Sequence, residues 1–339
     1  MKNRLYLFIT LLIFVSCNET STVENNPEPE KEKVEPKGKV EELTLEIRKS
    51  PKNGELYYQR AQAYVDDQMF LLALEDINRA LKIDSVSSKF HSFKGEIQYF
   101  SAKPDKARDS FEHALELDPK NTDALLKLAE IQLLLRNYQE CFNRVNEALR
   151  IDQQLYKGYF LKGYAYLEMG DTTLAVSSIQ TSIELNPKFY EGYMTLGDIH
   201  AMKGSNLAIE YYNSALESSP GDAEAMYNLG IYLQNNNRLD DAVVVYERMI
   251  EVDENSVRAW YNRGYILLEL QNKPLEAIPF FERALEITPQ YIDARYNLGL
   301  CYEQLGENAE ARKHYTTALE LDPQYDLAAY GMERLQRLK

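Results

Sequence analysis

From Gly54 to Tyr325 the apolar residues fall at i, i+3, i+4, i+7 spacing, in runs of helical length separated by short polar breaks. The stretch Ile292 to Tyr325 shows the unit most clearly. Large residues (Leu298, Tyr302, Tyr315, Leu319) alternate there with small ones (Gly299, Ala311, Ala318). The spacing predicts two amphipathic helices, roughly 292–305 and 309–321, joined by a turn at Gly306 and closed by Pro323. Small residues at fixed points let the two backbones approach closely, and the large ones fill the space between neighbouring pairs.

The unit repeats. A Gly or Ala precedes Gly299 at Gly264, Gly230, Gly197, Gly163, Ala129, Gly95 and Ala61, mostly 34 residues apart. A second ladder runs in step through Ala311, Ala277, Ala242, Ala208, Ala175, Cys141, Ala107 and Ala73. Four residues beyond each of these stands a large side chain: Tyr315, Phe281, Tyr246, Tyr212, Ile179, Val145, Phe111 and Ile77. A two-helix unit of this length, with a Trp/Tyr-Leu-Gly-Tyr first helix and an Ala-Phe-Ala-Pro second, resembles the tetratricopeptide (TPR) repeat. The resemblance covers 54–325 in eight tandem copies. It implies an all-α, right-handed superhelical solenoid whose first helices line a concave groove.

Two copies depart in length. Repeat five lacks one residue before Ala208, and repeat seven has one extra around Asn272-Lys273-Pro274; both changes are expected in the turns. Pro104 is expected at the first position of a helix, where its missing N–H does no harm, whereas Pro279 lies inside one and is expected to bend it. Residues 39–53 match a lone second helix, with Val40, Leu43 and Ile47 on one face, and read as an N-terminal half repeat. Residues 326–339 read as a C-terminal capping helix, with Leu327, Tyr330 and Leu335 facing inward.

The chain before the repeats is of another kind. Lys2 and Arg4 precede an apolar run from Leu5 to Val15, which as a helix would rise only about 16 Å, half of a bilayer core. Residues 1–16 are therefore expected to be a signal peptide. The ending Val15-Ser16-Cys17 resembles a bacterial lipoprotein lipobox, which implies cleavage before Cys17 and lipid on its sulfur. Asn18 follows where an Asp would signal inner-membrane retention, so the resemblance implies the outer membrane. Residues 17–38, rich in Glu, Lys, Pro, Asn and Thr, read as a disordered tether between lipid and repeats.

Charge and inventory narrow the function. The 339 residues carry a formal charge of −15, which argues against a nucleic-acid partner. Cys141 and Cys301 fall in core slots five repeats apart, too far for a disulfide. His91, His113, His200 and His314 are scattered, and no Gly-rich phosphate loop, HExxH, GxSxG or CxxC occurs, so no metal, cofactor or catalytic residue is expected.

The candidate site is the groove. Tyr227-Asn228, Tyr261-Asn262 and Tyr296-Asn297 stand at identical places in repeats six to eight and are expected on the exposed side of the first helices. The asparagines could bond the backbone of a bound peptide while the tyrosines supply flat area. The arrangement resembles the asparagine ladder of the TPR superhelix in the enzyme that modifies Ser/Thr with N-acetylglucosamine. The Lys/Asn pair by which co-chaperone TPR domains clamp a carboxylate tail is missing; the corresponding pairs run from Tyr58/Gln62 and Ser92/Glu96 to Tyr296/Leu300. Phe93, Phe100, Leu126, Leu134, Phe160 and Leu161 make repeats two to four more apolar, as for a partner helix or self-association. The expectation is a non-enzymatic adaptor in the bacterial cell envelope that binds proteins or peptides. The alternatives are an accessory subunit of an envelope enzyme or of a secretion or assembly complex, and a cytosolic TPR co-chaperone.

Overall fold

A computed structural model describes residues 38–337; Cys17, the signal peptide and all of the tether but Gly38 lie outside them. The described residues form eighteen helices and no strand. A single helix, α1 (Lys39–Lys49), leads into eight hairpins. The first four are α2 (Gly54–Asp66) with α3 (Phe70–Ile83), α4 (Ser88–Phe100) with α5 (Pro104–Leu117), α6 (Thr122–Leu134) with α7 (Tyr138–Ile151), and α8 (Tyr156–Glu168) with α9 (Thr172–Leu185). Then come α10 (Tyr190–Met202) with α11 (Leu207–Ser218), α12 (Ala223–Asn235) with α13 (Leu239–Val252), α14 (Val257–Tyr265) with α15 (Pro274–Ile287), and α16 (Ile292–Gln304) with α17 (Asn308–Leu321). The last helix, α18 (Asp326–Arg337), stands alone.

Each helix packs on the one before and the one after, as a solenoid requires. First helices also touch the first helices of adjacent repeats, α4 on α6, α6 on α8, α10 on α12 and α16 on α18, while the second helices make no comparable contacts with one another. The first helices therefore form the inner, more crowded layer of the stack, and their free side lines its concave face.

The small ladder does what its spacing demands. A Cβ added to Gly95, Gly197, Gly230, Gly264 or Gly299 would lie 2.6–2.9 Å from the ring of Phe111, Tyr212, Tyr246, Phe281 or Tyr315. Where the slot holds alanine, at Ala61 and Ala129, the facing residues are the smaller Ile77 and Val145. Every aromatic in this slot faces a glycine, although glycine also faces Ile179, at Gly163. Gly230→Ala, which puts a methyl group 2.6 Å from Tyr246 Cε1, is expected to lose about 1–3 kcal/mol to overpacking. Adding Tyr246→Val, which copies the Ala129/Val145 pair, is expected to recover part of that loss in urea unfolding.

Three of the facing rings carry a hydroxyl, and each reaches an acceptor on its own first helix. Tyr212 donates to Asp198 (2.7 Å), Tyr246 to Gln234 (3.2 Å) and Tyr315 to Glu303. Repeats two and seven have phenylalanine there instead.

The recurring acids at the ends of the second helices are turn formers. Asp84, Asp118, Asp152, Asp253 and Asp322 each accept the N–H two residues on, at 2.8–3.2 Å. Inside each hairpin one turn residue adopts a left-handed backbone, at Gln68, Ala102, Arg136, Gly170, Gly204, Asn237, Asn272 and Gly306, although only three of the eight are glycine.

Repeats five and seven differ from expectation. The hairpin turn of repeat seven, Gln271 to Lys273, is no longer than the others. Its extra residue is absorbed upstream, where α14 continues as a π-helical turn over Ile266–Leu270. In repeat five the missing residue shortens α11 to 12 residues, against 14 in the other second helices, so the deletion trims a helix start and not the turn. Pro104 opens α5 as expected, and Pro279 lies inside a continuous α15.

Val40, Leu43 and Ile47 are buried, as expected of the half repeat. In α18, Leu335 is buried, but Leu327 and Tyr330 are 49% and 58% exposed, contrary to the inward placement expected for them. The inward face carries Ala328 and Gly331 instead, because it meets the Tyr315 ring, which a Cβ on Gly331 would approach to 2.5 Å. Size misleads where a neighbouring ring has already filled the space. Glu333 occupies the place of Gly299 in this helix and is exposed.

Candidate functional site

The concave face is built from three rows of side chains, one turn apart on the first helices. The outermost row is charged in every repeat and staples neighbours at two junctions. Lys89 pairs with Glu55 (2.8 Å) and sits 4.0 Å over the Tyr58 ring; Arg258 pairs with Glu224 (3.2 Å) and sits 4.8 Å over the Tyr227 ring. These staples join repeats one to two and six to seven through the same places.

The Tyr-Asn pairs lie in the middle row, more deeply than expected. Asn262 and Asn297 are only 6% and 5% exposed, so the expectation that this side is open holds neither for them nor for the face of Tyr227 under Arg258. Each asparagine amide is engaged within the protein. Asn228 Nδ2 donates to Asp198 Oδ1 (3.2 Å), Asn262 Nδ2 to the Arg258 carbonyl (2.8 Å) and Asn297 Nδ2 to the Tyr261 hydroxyl (3.1 Å). Tyr261 lies 4.9 Å from the Tyr291 ring and Tyr296 5.6 Å from Tyr315. Burial, as the largest cause, raises the phenol pKa of Tyr261 and Tyr296. The physical reason is curvature: successive first helices crowd together on the inner layer, so a side chain aimed between them meets the next helix before it meets solvent.

The next row, one turn further along each first helix, is half-open. It is acidic in repeats two, three and five, with Glu96, Glu130 and Asp198, and apolar in repeats six to eight, with Ile231, Tyr265 and Leu300. Glu130 accepts from Tyr99 Oη (3.2 Å) and Lys127 Nζ (2.9 Å). Asp198 takes both Tyr212 and Asn228 on one oxygen, leaving Oδ2 without a protein donor among the described residues. Burial, as the largest cause, raises the carboxyl pKa of both Asp198 and Glu96. The sequence carries the signal for this row in the second members of the pairs that rule out a carboxylate clamp, from Gln62 and Glu96 to Leu300.

The apolar residues of repeats two to four divide. Phe93 and Leu126 are buried, Phe160 and Leu161 half-buried, and Phe100 and Leu134 exposed near the hairpin turns. Among the described residues no group of three or more His, Cys, Asp or Glu is arranged to hold a metal ion. His200 packs 5.3 Å from the Tyr211 ring with neither ring nitrogen bonded, and burial lowers its pKa. Cys141 and Cys301 are free and buried, and burial pushes both thiols up to about 12.

Models of the tetratricopeptide repeat match residues 54–86, 101–158, 156–189, 211–244 and 255–324, more than half of the chain. Anaphase-promoting complex subunit 3 of Schizosaccharomyces pombe is 23% identical over 61% of this chain and 31% of its own. The peroxisomal targeting signal receptor of Saccharomyces cerevisiae is 29% identical over 50% of this chain and 29% of its own. The chain spans about a third or less of the length of these relatives. Among solved structures, pilF of Pseudomonas aeruginosa superposes with a TM-score of 0.52 at 17% identity, over 62% of this chain and 96% of that one, which is a likeness of fold.

Proposed function

This chain belongs to the tetratricopeptide-repeat family, and we propose on that premise that it is a non-enzymatic scaffold holding a protein partner along its concave face. The observation that carries this is the half-open row from Glu96 through Glu130 and Asp198 to Ile231, Tyr265 and Leu300. These side chains lie at equivalent places on successive first helices and keep surface that packing does not consume. In repeats one, two, six, seven and eight much of the rest of the face is taken up by the Lys89–Glu55 and Arg258–Glu224 staples and the buried Asn262 and Asn297 amides. A segment that fits this row is extended or helical, basic toward repeats two to five and apolar toward repeats six to eight.

The setting proposed for this scaffold is the bacterial envelope, with the repeats held at the outer membrane by lipid on Cys17. The sequence features that support it are the basic and apolar run of 1–15 and the cysteine that follows Val15-Ser16. Among the described residues no helix is long and apolar enough to cross a membrane, so the proposed attachment is through the lipid.

One experiment tests partner and place together. Wild type, Ile231→Glu/Leu300→Glu and Val244→Glu are each used to capture proteins from a membrane extract. Val244 is exposed on α13, away from the first helices. Partners held by wild type are expected to survive Val244→Glu and to be lost with the groove pair. Equal retention by all three would place binding elsewhere. Cys17→Ser is expected to abolish fatty-acid labelling and membrane fractionation; continued labelling would refute the anchor.

A further inference from the structure

The side of α8 opposite the groove holds a second feature. A broad, largely open cleft of about 580 Å³ lies between α7 and α8, lined by Asn146, Leu149, Arg150, Gln153, Tyr159 and Lys162, with Arg150 and Gln153 exposed. Every polar residue in it carries a hydrogen-bond donor, two are cations and none is a carboxylate. In a chain of charge −15 that is a local reversal of sign.

Comparison among the repeats shows why the cleft is open and why it is positive. Lys162 stands where repeats three, five, six and eight place the buried Leu128, Leu196, Leu229 and Leu298. Three other repeats also place a cation there, and two of them supply its acid, Arg60 pairing with Asp76 (2.6 Å) and Arg263 with Glu247 (3.5 Å), while Lys94 of repeat two, like Lys162, makes no ion pair among the described residues. The residue at Glu247's place opposite Lys162 is Asn146, an amide, 3.4 Å from the ammonium. Among the described residues neither Lys162 nor Arg150 makes an ion pair. A cation drawn partly out of water without a counter-charge leaves attraction unspent.

The mouth differs as well. In repeats one, two, seven and eight the residue at Tyr159's place bonds the carbonyl six residues earlier: Tyr57 Oη to Pro51 (3.2 Å), His91 Nε2 to Ser85 (3.0 Å), Trp260 Nε1 to Glu254 (2.9 Å) and Arg295 to Pro289 (3.0 Å). That bond draws a side chain across the junction between repeats. Tyr159 makes no such bond, so the Gln153 end stays accessible.

The geometry points to an oxyanion site between repeats three and four, in which Lys162 and Arg150 hold a phosphate or carboxylate group and the Asn146 and Gln153 amides complete its hydrogen bonds. Arg150 presents a planar fork of donors and Lys162 a point charge, the usual division of labour around such groups. The volume exceeds that of a bare ion, and Tyr159 with Leu149 offers an apolar wall to the small polar molecule that carries the anion. The site is separate from the groove, so it stands whether or not the scaffold reading does.

Isothermal titration of the full chain with glucose 6-phosphate, inorganic phosphate and uncharged glucose tests it. Glucose 6-phosphate is expected to bind with a Kd of about 1 mM or tighter, weakening with added salt, and glucose is expected not to bind. Inorganic phosphate competing for the same heat would confirm that the anion is what is held. Two variants copy arrangements the chain already folds elsewhere. Lys162→Leu restores the leucine of four other repeats, and Asn146→Glu supplies the acid found at Glu247. Each is expected to weaken binding at least about tenfold with the melting temperature unchanged or raised. No binding at about 10 mM, or binding that both variants leave intact, would overturn the site.

Discussion

Replacing Asp76 with alanine is expected to destabilise the N-terminal end of the stack by about 3–5 kcal/mol, because it leaves a buried guanidinium without its counter-charge. Arg60 Nε and Nη2 bond the two Asp76 oxygens at 2.6 and 2.8 Å, and Nη1 reaches Thr44 Oγ1 at 2.9 Å. One side chain thus ties α1, α2 and α3 together, with both members of the ion pair buried. The double variant Arg60→Leu/Asp76→Val copies residues at these places in other repeats, Leu229 and Val245 in repeat six, and removes the charge instead of stranding it. It is expected to lie within about 1 kcal/mol of wild type in urea unfolding followed by circular dichroism. If the double variant were as unstable as the single one, packing and not the stranded charge would be the cause.

Tyr246→Ala is expected to cost about 3–5 kcal/mol and, in addition, to divide the unfolding transition. Tyr246 is fully buried in the apolar cluster that runs from α10 to α14, lies against Gly230 and bonds Gln234. In a stack that communicates only through nearest neighbours, a cavity in repeat six weakens the junction on both sides. The only tryptophan, Trp260, sits in the next repeat and reports on that junction. Fluorescence and circular dichroism are expected to coincide for the wild type and to separate for the variant. Coincident curves in the variant would mean that the stack melts as one unit.

Repetition made the fold legible. Each slot is written eight times, so the ladders ending at Gly299 and Ala311 locate the helices within one or two residues and identify which faces meet. Where a slot occurs once, the same reasoning fails. The series carried one step further does put Ala328 at the place of the buried Ala294, but it does not give Gly331 at the place of Asn297, where the decisive fact is the Tyr315 ring already occupying that space. Turns tolerate length changes, yet the residue inserted in repeat seven is absorbed by the helix in a wider coil. The groove was legible in place but not in depth. Tyr-Asn at identical positions reads as a surface motif until the curvature of the inner layer buries Asn262 and Asn297, while the row bearing Glu96 and Leu300 stays half-open.

Among the described residues, the first helix, α1, has the form of a second helix of the repeat, and the last, α18, has that of a first helix, so the two are complementary halves. Head-to-tail joining of copies would complete both and generate an endless rod, since that contact does not close on itself. Charge stands in the way. Glu333 occupies the glycine slot of α18, and Lys39 and Glu46 occupy in α1 the alanine slots of Ala73 and Ala80. A longitudinal junction would have to bury these groups against one another's backbones, so filament growth is disfavoured by the same positions that elsewhere allow the helices to meet.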